Sequence, residues 1–374
     1  MNSARAHKNS SAIRKGTVGL AAAGLAAVGL LGVAGVTSGA TSAAAAESGS
    51  VGTIVSQGSV AAGSFNPAEL SGLTLANGHY LTVNDKTLND SKDFSTSVLQ
   101  MPESEFANGA KFTADTGLPN IKLQKAESIT TTPDGKYVIA STAYNKYDPA
   151  TGDKVTFNGT VAWPANKPAD AKVIGSTPEK PKASLGIRGA IQKALPGDPG
   201  YIKVEGTAAT SNEILFGIRQ YGASEDSAAF GVTVVAMPYT ESESGITVDT
   251  AGAHVVYSMN DATKGQAPLK GIGLSDLYYN SATGGLDILA SYENEAGSPQ
   301  IAGYMFTVSK EQFAAGTGAD IVKTADGNVI QFSDKTEGIT KMPNGNFLIV
   351  SDNDDYPIGT PGQSDFYQVQ LLNK

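Results

Sequence analysis

Residues 127–141 read Glu127-Ser-Ile-Thr-Thr-Thr-Pro-Asp-Gly-Lys-Tyr-Val-Ile-Ala-Ser141. A run rich in Thr and Ile meets a Pro-Asp-Gly turn and returns as Tyr-Val-Ile-Ala-Ser. β-Branched and aromatic residues fit a pleated, half-buried surface, and the glycine supplies the positive φ that a tight reversal needs. The stretch is a β-hairpin. The unit recurs at 71–85 (Ser71-Gly-Leu-Thr-Leu to Asp85), 205–219 (Glu205-Gly-Thr-Ala-Ala to Arg219), 275–291 (Ser275-Asp-Leu-Tyr-Tyr to Ser291) and 337–351 (Glu337-Gly-Ile-Thr-Lys to Ser351). Turns of the same kind occur at Asn77-Gly78, Gly284-Gly285 and Asn344-Gly345, while Ser211-Asn212-Glu213 lacks the glycine.

The five starts are 56, 78, 70 and 62 residues apart, which leaves room for two further strands after each hairpin. Four strands in each of five units is the pattern of a five-bladed β-propeller, an all-β fold. Outer strands are visible at 231–237 with 254–259, and at 302–308 with 328–332. The last hairpin is followed only by 366–372, so its fourth strand must come from elsewhere. Val51–Val60 supplies it, and an N-terminal strand closing the last blade removes two exposed edges. One helix is expected, Ser184–Leu195, stopped by Pro196-Gly197, and the Pro-rich stretch 164–181 reads as a surface excursion.

The 374 residues include no cysteine, three histidines and 36 acidic against 27 basic residues. Thiolate chemistry and disulfides are excluded, and a His-rich zinc site is hard to build. Arg5, Lys8, Arg14 and Lys15 lie in the first 46 residues, which hold no acid; 27 less these four leaves 23 basic against 36 acidic residues, about −13. That charge argues against nucleic acid or an anionic membrane as partner. The same 46 residues combine a basic start, the apolar run 16–36 and Ala44-Ala45-Ala46, the pattern of a Sec-type signal peptide. A secreted, monomeric propeller domain at 47–374 is expected, with no membrane span after cleavage.

In a propeller the first strand of each blade lines the axis, so Ser71, Glu127, Glu205, Ser275 and Glu337 converge on one ring. Three carboxylates about 5 Å apart repel by roughly 3 kcal/mol per pair at an effective dielectric near 20. A positive charge must offset this. An all-oxygen shell of that width suits Ca²⁺ better than Mg²⁺. A second reading neutralises the carboxylates with Lys125, Lys203 and Lys335, each two positions earlier on the same strand face.

The order Ser, Glu, Glu, Ser, Glu, with Glu69-Leu-Ser-Gly-Leu73, Lys125-Ala-Glu127, Tyr201-Ile-Lys-Val-Glu205, Leu289-Ala-Ser-Tyr-Glu293 and Lys335-Thr-Glu-Gly-Ile339, resembles the calcium-activated nucleotidases (apyrases). The resemblance implies a five-bladed propeller with a central Ca²⁺ and hydrolysis of nucleoside di- or triphosphates or other phosphate esters. It covers the blade cores from Glu69 to Ile339. Where the family carries Asp-Asp-Arg-Thr-Gly at the end of its first blade, this chain reads Asn84-Asp-Lys-Thr-Leu88, and Val51–Val60 lacks the family's acidic residues. By analogy, Arg219 becomes a clamp for a small phosphorylated anion, and Asp85 or Glu293 a general base. The run Ser351-Asp-Asn-Asp-Asp355 reads as a polar turn at the same mouth. The alternative is a non-catalytic extracellular or envelope binding module stapled by the same ion.

Overall fold

The computed structural model describes residues 49–63, 69–85, 94–114, 117–259, 271–292, 302–352 and 362–372; the expected signal peptide, Glu293, Lys86 and Asn353–Asp355 lie outside them. The chain enters through β1 (Gly52–Ala62). A first antiparallel unit follows: β2 (Leu70–Ala76), β3 (His79–Asn84), β4 (Val98–Pro102) and β5 (Lys111–Ala114). The second comprises β6 (Ala126–Thr131), β7 (Tyr137–Thr142), β8 (Thr160–Pro164) and β9 (Lys172–Ile174). The third holds β10 (Tyr201–Ala209), β11 (Glu213–Gly222) and β12 (Ala229–Ser242), against which both β13 (Gly245–Val248) and β14 (His254–Ser258) pair. The fourth holds β15 (Gly273–Asn280), β16 (Gly285–Tyr292) and β17 (Ala302–Val308), with β18 (Asp320–Ile321) and β19 (Gln331–Phe332) sharing β17. The last unit is β20 (Thr336–Lys341), β21 (Phe347–Ser351) and β22 (Gln363–Leu371).

β1 completes that last unit. It runs antiparallel to β22 from Gly52 opposite Leu371 to Ala61 opposite Gln363. Its far end pairs in parallel with β5, Ala61 opposite Lys111, which joins the last unit to the first in one eight-stranded sheet. Its near end is tied to the fourth unit, where Gly52 N–H donates to the Lys323 carbonyl at 2.8 Å and Lys323 N–H to Ser50 at 2.9 Å. The inner strands β2, β6, β10, β15 and β20 touch in that order, and β20 touches β2 again. The circuit is closed: the described chain is a β-propeller, with these units as its blades.

Each hydrophobic cluster lies between two neighbouring blades. Leu73, Tyr80, Met101 and Phe112 of the first blade meet Leu348, Val350 and Phe366 of the last. Val83 and Phe94 meet Val138, Val161 and Trp163. Comparable wedges join the second to the third, the third to the fourth and the fourth to the last. A blade is therefore apolar on both faces, and burying each large side chain contributes about 1.5–3 kcal/mol. The expected helix is α1 (Leu185–Ala194), packing Ile187 and Ile191 between the second and third blades. A short α2 (Lys310–Ala315) was not anticipated; Ser309 and Gln312 form a capping box at its start. The glycine-free third turn is held by Thr210, whose Oγ1 accepts the Glu213 N–H at 2.9 Å.

Candidate metal centre

Four of the five inner strands carry a β-bulge at the residue expected on the axis. In β6 the pairing jumps from Ala126 to Ser128 and leaves Glu127 unpaired. It likewise skips Glu205 in β10, Ser275 in β15 and Glu337 in β20. An extra residue bends its strand and re-aims its side chain, here inward. In β2 the skipped residue is Gly72, one position later, so Ser71 remains paired with Val83. Gly72 has φ +63°, and a Cβ there would lie 2.6 Å from the Ile129 nitrogen. Only glycine admits this approach of β2 to β6.

The bulges bring one carboxylate oxygen from each of Glu127, Glu205 and Glu337 within 4.8 Å of one another, and the three residues are 0–2% exposed. Ser71 Oγ donates to Glu337 Oε2 at 3.1 Å and approaches Glu127 Oε2 at 3.4 Å. The other oxygens face lysines: Lys125 Nζ lies 2.9 Å from Glu127 Oε1, Lys203 2.5 Å from Glu205 Oε1 and Lys335 2.7 Å from Glu337 Oε1. The lysine side chains are 13–22% exposed and the glutamates 1–3%, so the ammonium layer is the outer one. Lys125 is held in a left-handed conformation, φ +61°, and also grips Asp85 Oδ2 at 2.5 Å. Glu205 Oε2 is buried without a hydrogen-bond partner.

The charges are not settled by the lysines alone. Burial pushes Glu127 up to about 8 and Glu337 up to about 7, against the pull of Lys125 and Lys335. Burial would raise Glu205 too, but Lys203, Lys335 and Arg219 outweigh it and hold it at about 2. The trio thus resists carrying three negative charges. A divalent ion fits this donor set. Ca²⁺–O bonds of 2.3–2.6 Å let two ligand oxygens stand up to about 5 Å apart, whereas Mg²⁺ limits them to about 4.2 Å. Lysines thus sit on the outer oxygens, and the inner face keeps a bare acceptor, Glu205 Oε2.

Arg219 departs from the expectation of an open-mouth clamp. It is itself the skipped residue between Ile218 and Gln220, and the bulge turns it into the fourth blade, 0% exposed. Its Nη1 lies 3.0–3.3 Å from the Gly273 and Leu274 carbonyls and the Ser275 and Ser291 hydroxyls. Ser275, expected as a ligand, thus meets a guanidinium and, at 2.7 Å, Ser291 Oγ. Asp85 is placed at the rim of the ring by Lys125, not free as a base.

Asp352, expected in the polar turn at the mouth, lies 3.7 Å from Lys335. One residue escaped the sequence reading. Asp276 is 1% exposed, and its Oδ2 accepts the Ile339 N–H at 2.9 Å, tying the fourth blade to the last. Burial raises its carboxyl well above the usual range. The signal for Asp276 was available: its repeat position is otherwise Gly72, Ser128, Gly206 and Gly338.

No protein-family model and no curated protein matches the chain. Among solved structures it is similar to Kuenenia stuttgartiensis hydrazine synthase, 10% identical with TM-score 0.33, covering 75% of this chain but only 64% of that one. A DUF4623 family protein from Bacteroides eggerthii is 14% identical, TM-score 0.38, with 82% and 72% covered. The periplasmic gluconolactonase of Pseudomonas aeruginosa, PpgL, is 11% identical, TM-score 0.33, with 81% and 88% covered. The strand circuit and its buried glutamates thus define this chain as a β-propeller with an axial carboxylate cluster able to hold a metal ion.

Proposed function

We propose that this chain is an exported propeller that binds Ca²⁺ at Glu127, Glu205 and Glu337, with Ser71 as hydroxyl partner, and serves as an extracellular or envelope binding module. The observation that carries the reading is the buried, unpartnered Oε2 of Glu205 beside two further carboxylates. Leaving a buried acceptor unpaired costs about 1–3 kcal/mol, which an ion offsets. Bound there, the ion supplies two positive charges to the ring; the chain's own residues orient the oxygens and exclude water. Asp85 and Arg219 are both engaged by protein groups, which favours binding over catalysis. The experiment is thermal unfolding after exhaustive dialysis against chelator. Added Ca²⁺ should raise the midpoint, with about 2.7 kcal/mol gained at a hundredfold excess over Kd. Glu205→Gln should lose most of that gain. An unchanged wild-type midpoint leaves the ring to its lysines.

A second reading is an apyrase-like phosphohydrolase. It is favoured by the partly exposed layer of Lys125, Lys203 and Lys335 above the ring, which would meet a small phosphorylated anion once an ion neutralises the glutamates. Calcium-dependent phosphate release from nucleoside diphosphates supports this reading, and its absence in purified protein rejects it.

A further inference from the structure

The bulge at Arg219 serves a purpose that hydrogen bonding within one blade does not explain. Its guanidinium occupies a slot prepared on the neighbouring blade. A Cβ at Gly273 would stand 2.7 Å from Arg219 Cγ, so that position must be small. The Phe230 ring lies 5.2 Å from the guanidinium carbon and covers it. Nη1 then reaches the fourth blade at the ring position itself, through Ser275 Oγ at 3.3 Å and the two carbonyls before it.

We infer that Arg219 is a tethered cation occupying the fourth-blade share of the ring, so that Ser275 is not a metal ligand and Arg219 sets the affinity for the ion. The inference rests on the calcium reading above. A serine hydroxyl has one proton and two lone pairs. With Ser275 Oγ in contact with both Arg219 and Ser291, two of these three positions are taken by protein partners, and one of the partners is a cation that a metal ion on the same oxygen would have to sit beside. A fixed positive charge beside a cation site opposes the ion, because like charges repel strongly where water is excluded. The donor set is thereby reduced to three carboxylates and Ser71, and metal binding is weaker than the carboxylates alone would give. The same guanidinium lowers Glu205, consistent with its charge reaching the ring.

Calorimetric titration of Ca²⁺ into the chelator-stripped chain tests this with four variants. Arg219→Gln, which keeps an amide donor for the carbonyls, should bind Ca²⁺ at least about tenfold more tightly. Ser275→Ala should bind within about twofold of wild type, and Glu205→Gln should lose binding. A purely structural Arg219 predicts the opposite, since a loosened site loses affinity. If Arg219→Gln does not fold, Arg219→Lys keeps the charge: wild-type-like affinity there, with Ser275→Ala unaffected, supports the inference. Weaker or equal binding by folded Arg219→Gln overturns it, as does a tenfold loss in Ser275→Ala, and both leave the calcium site standing. Absence of binding in wild type removes the calcium reading and the inference together.

Discussion

At the scale of single residues, the chain places acids where water is scarce and offsets them locally. Asp334, 7% exposed, illustrates the cost outside the ring. Burial, with the charge of Asp365, raises its carboxyl to about 6, although Lys335 N–H donates to its Oδ1 at 2.8 Å. A carboxyl whose folded value exceeds its unfolded one binds its proton more tightly when folded. Stability from that proton is complete below about pH 4 and is lost as pH rises through about 6. Asp334→Asn, which can still accept from Lys335, should therefore raise the melting midpoint by a few degrees at pH 8. The gain should vanish near pH 3.5; an equal gain at both values would show that charge is not the cause. The five axial residues were legible as residue types at repeated positions. The direction of Arg219 was not, because a bulge reverses which face a side chain takes and no single-strand pattern announces it.

At the scale of the element, the inner strands do more than line an axis. Each is interrupted at or beside its axial position, and in β6, β10 and β20 the interruption aims the carboxylate. Gly72 is the outlier, one residue out of phase with the other bulges and in the left-handed region. Gly72→Ala forces a methyl against the backbone of β6 and strains φ, so a loss on the order of 1–3 kcal/mol is expected. Denaturant unfolding measures it, and calcium titration should show weaker binding, because Ser71 moves with its strand. A stability matching wild type would mean that β2 and β6 can separate freely. The hairpins themselves were readable from Asn-Gly, Asp-Gly and Gly-Gly turns, and α1 from its Pro-Gly stop. Of the outer strands, β14 and β19 fall within the expected 254–259 and 328–332, but β13 and β18 were not legible, since strands of four and two residues carry too few alternations to register. For α2 the residues of the capping box, Ser309-Lys-Glu-Gln312, were in the sequence but went unread, because a turn and a half lies below what periodicity can separate from a loop.

At the scale of the molecule, stability depends on the ring being shut. Nine residues of β1 are matched along β22, and both ends of β1 are fastened to other blades. Deleting residues 48–60 should lower the calorimetric midpoint of the whole domain, not merely remove one local transition; a truncated chain melting like the intact one would contradict closure. The need for this strand was visible in the sequence as a missing partner after the last hairpin. The order of manufacture follows from the same pairing. Ribosomes make β1 first and β22 last, so the opening strand waits through some three hundred residues for its mate. A waiting strand with an unpaired edge invites association with its neighbours. Its sequence, Gly-Thr-Ile-Val-Ser-Gln-Gly-Ser-Val-Ala-Ala, contains no aromatic side chain and three hydroxyls, and a bulge interrupts it after Ile54. The strand that must remain single longest thus offers a waiting neighbour no large aromatic surface and a broken edge.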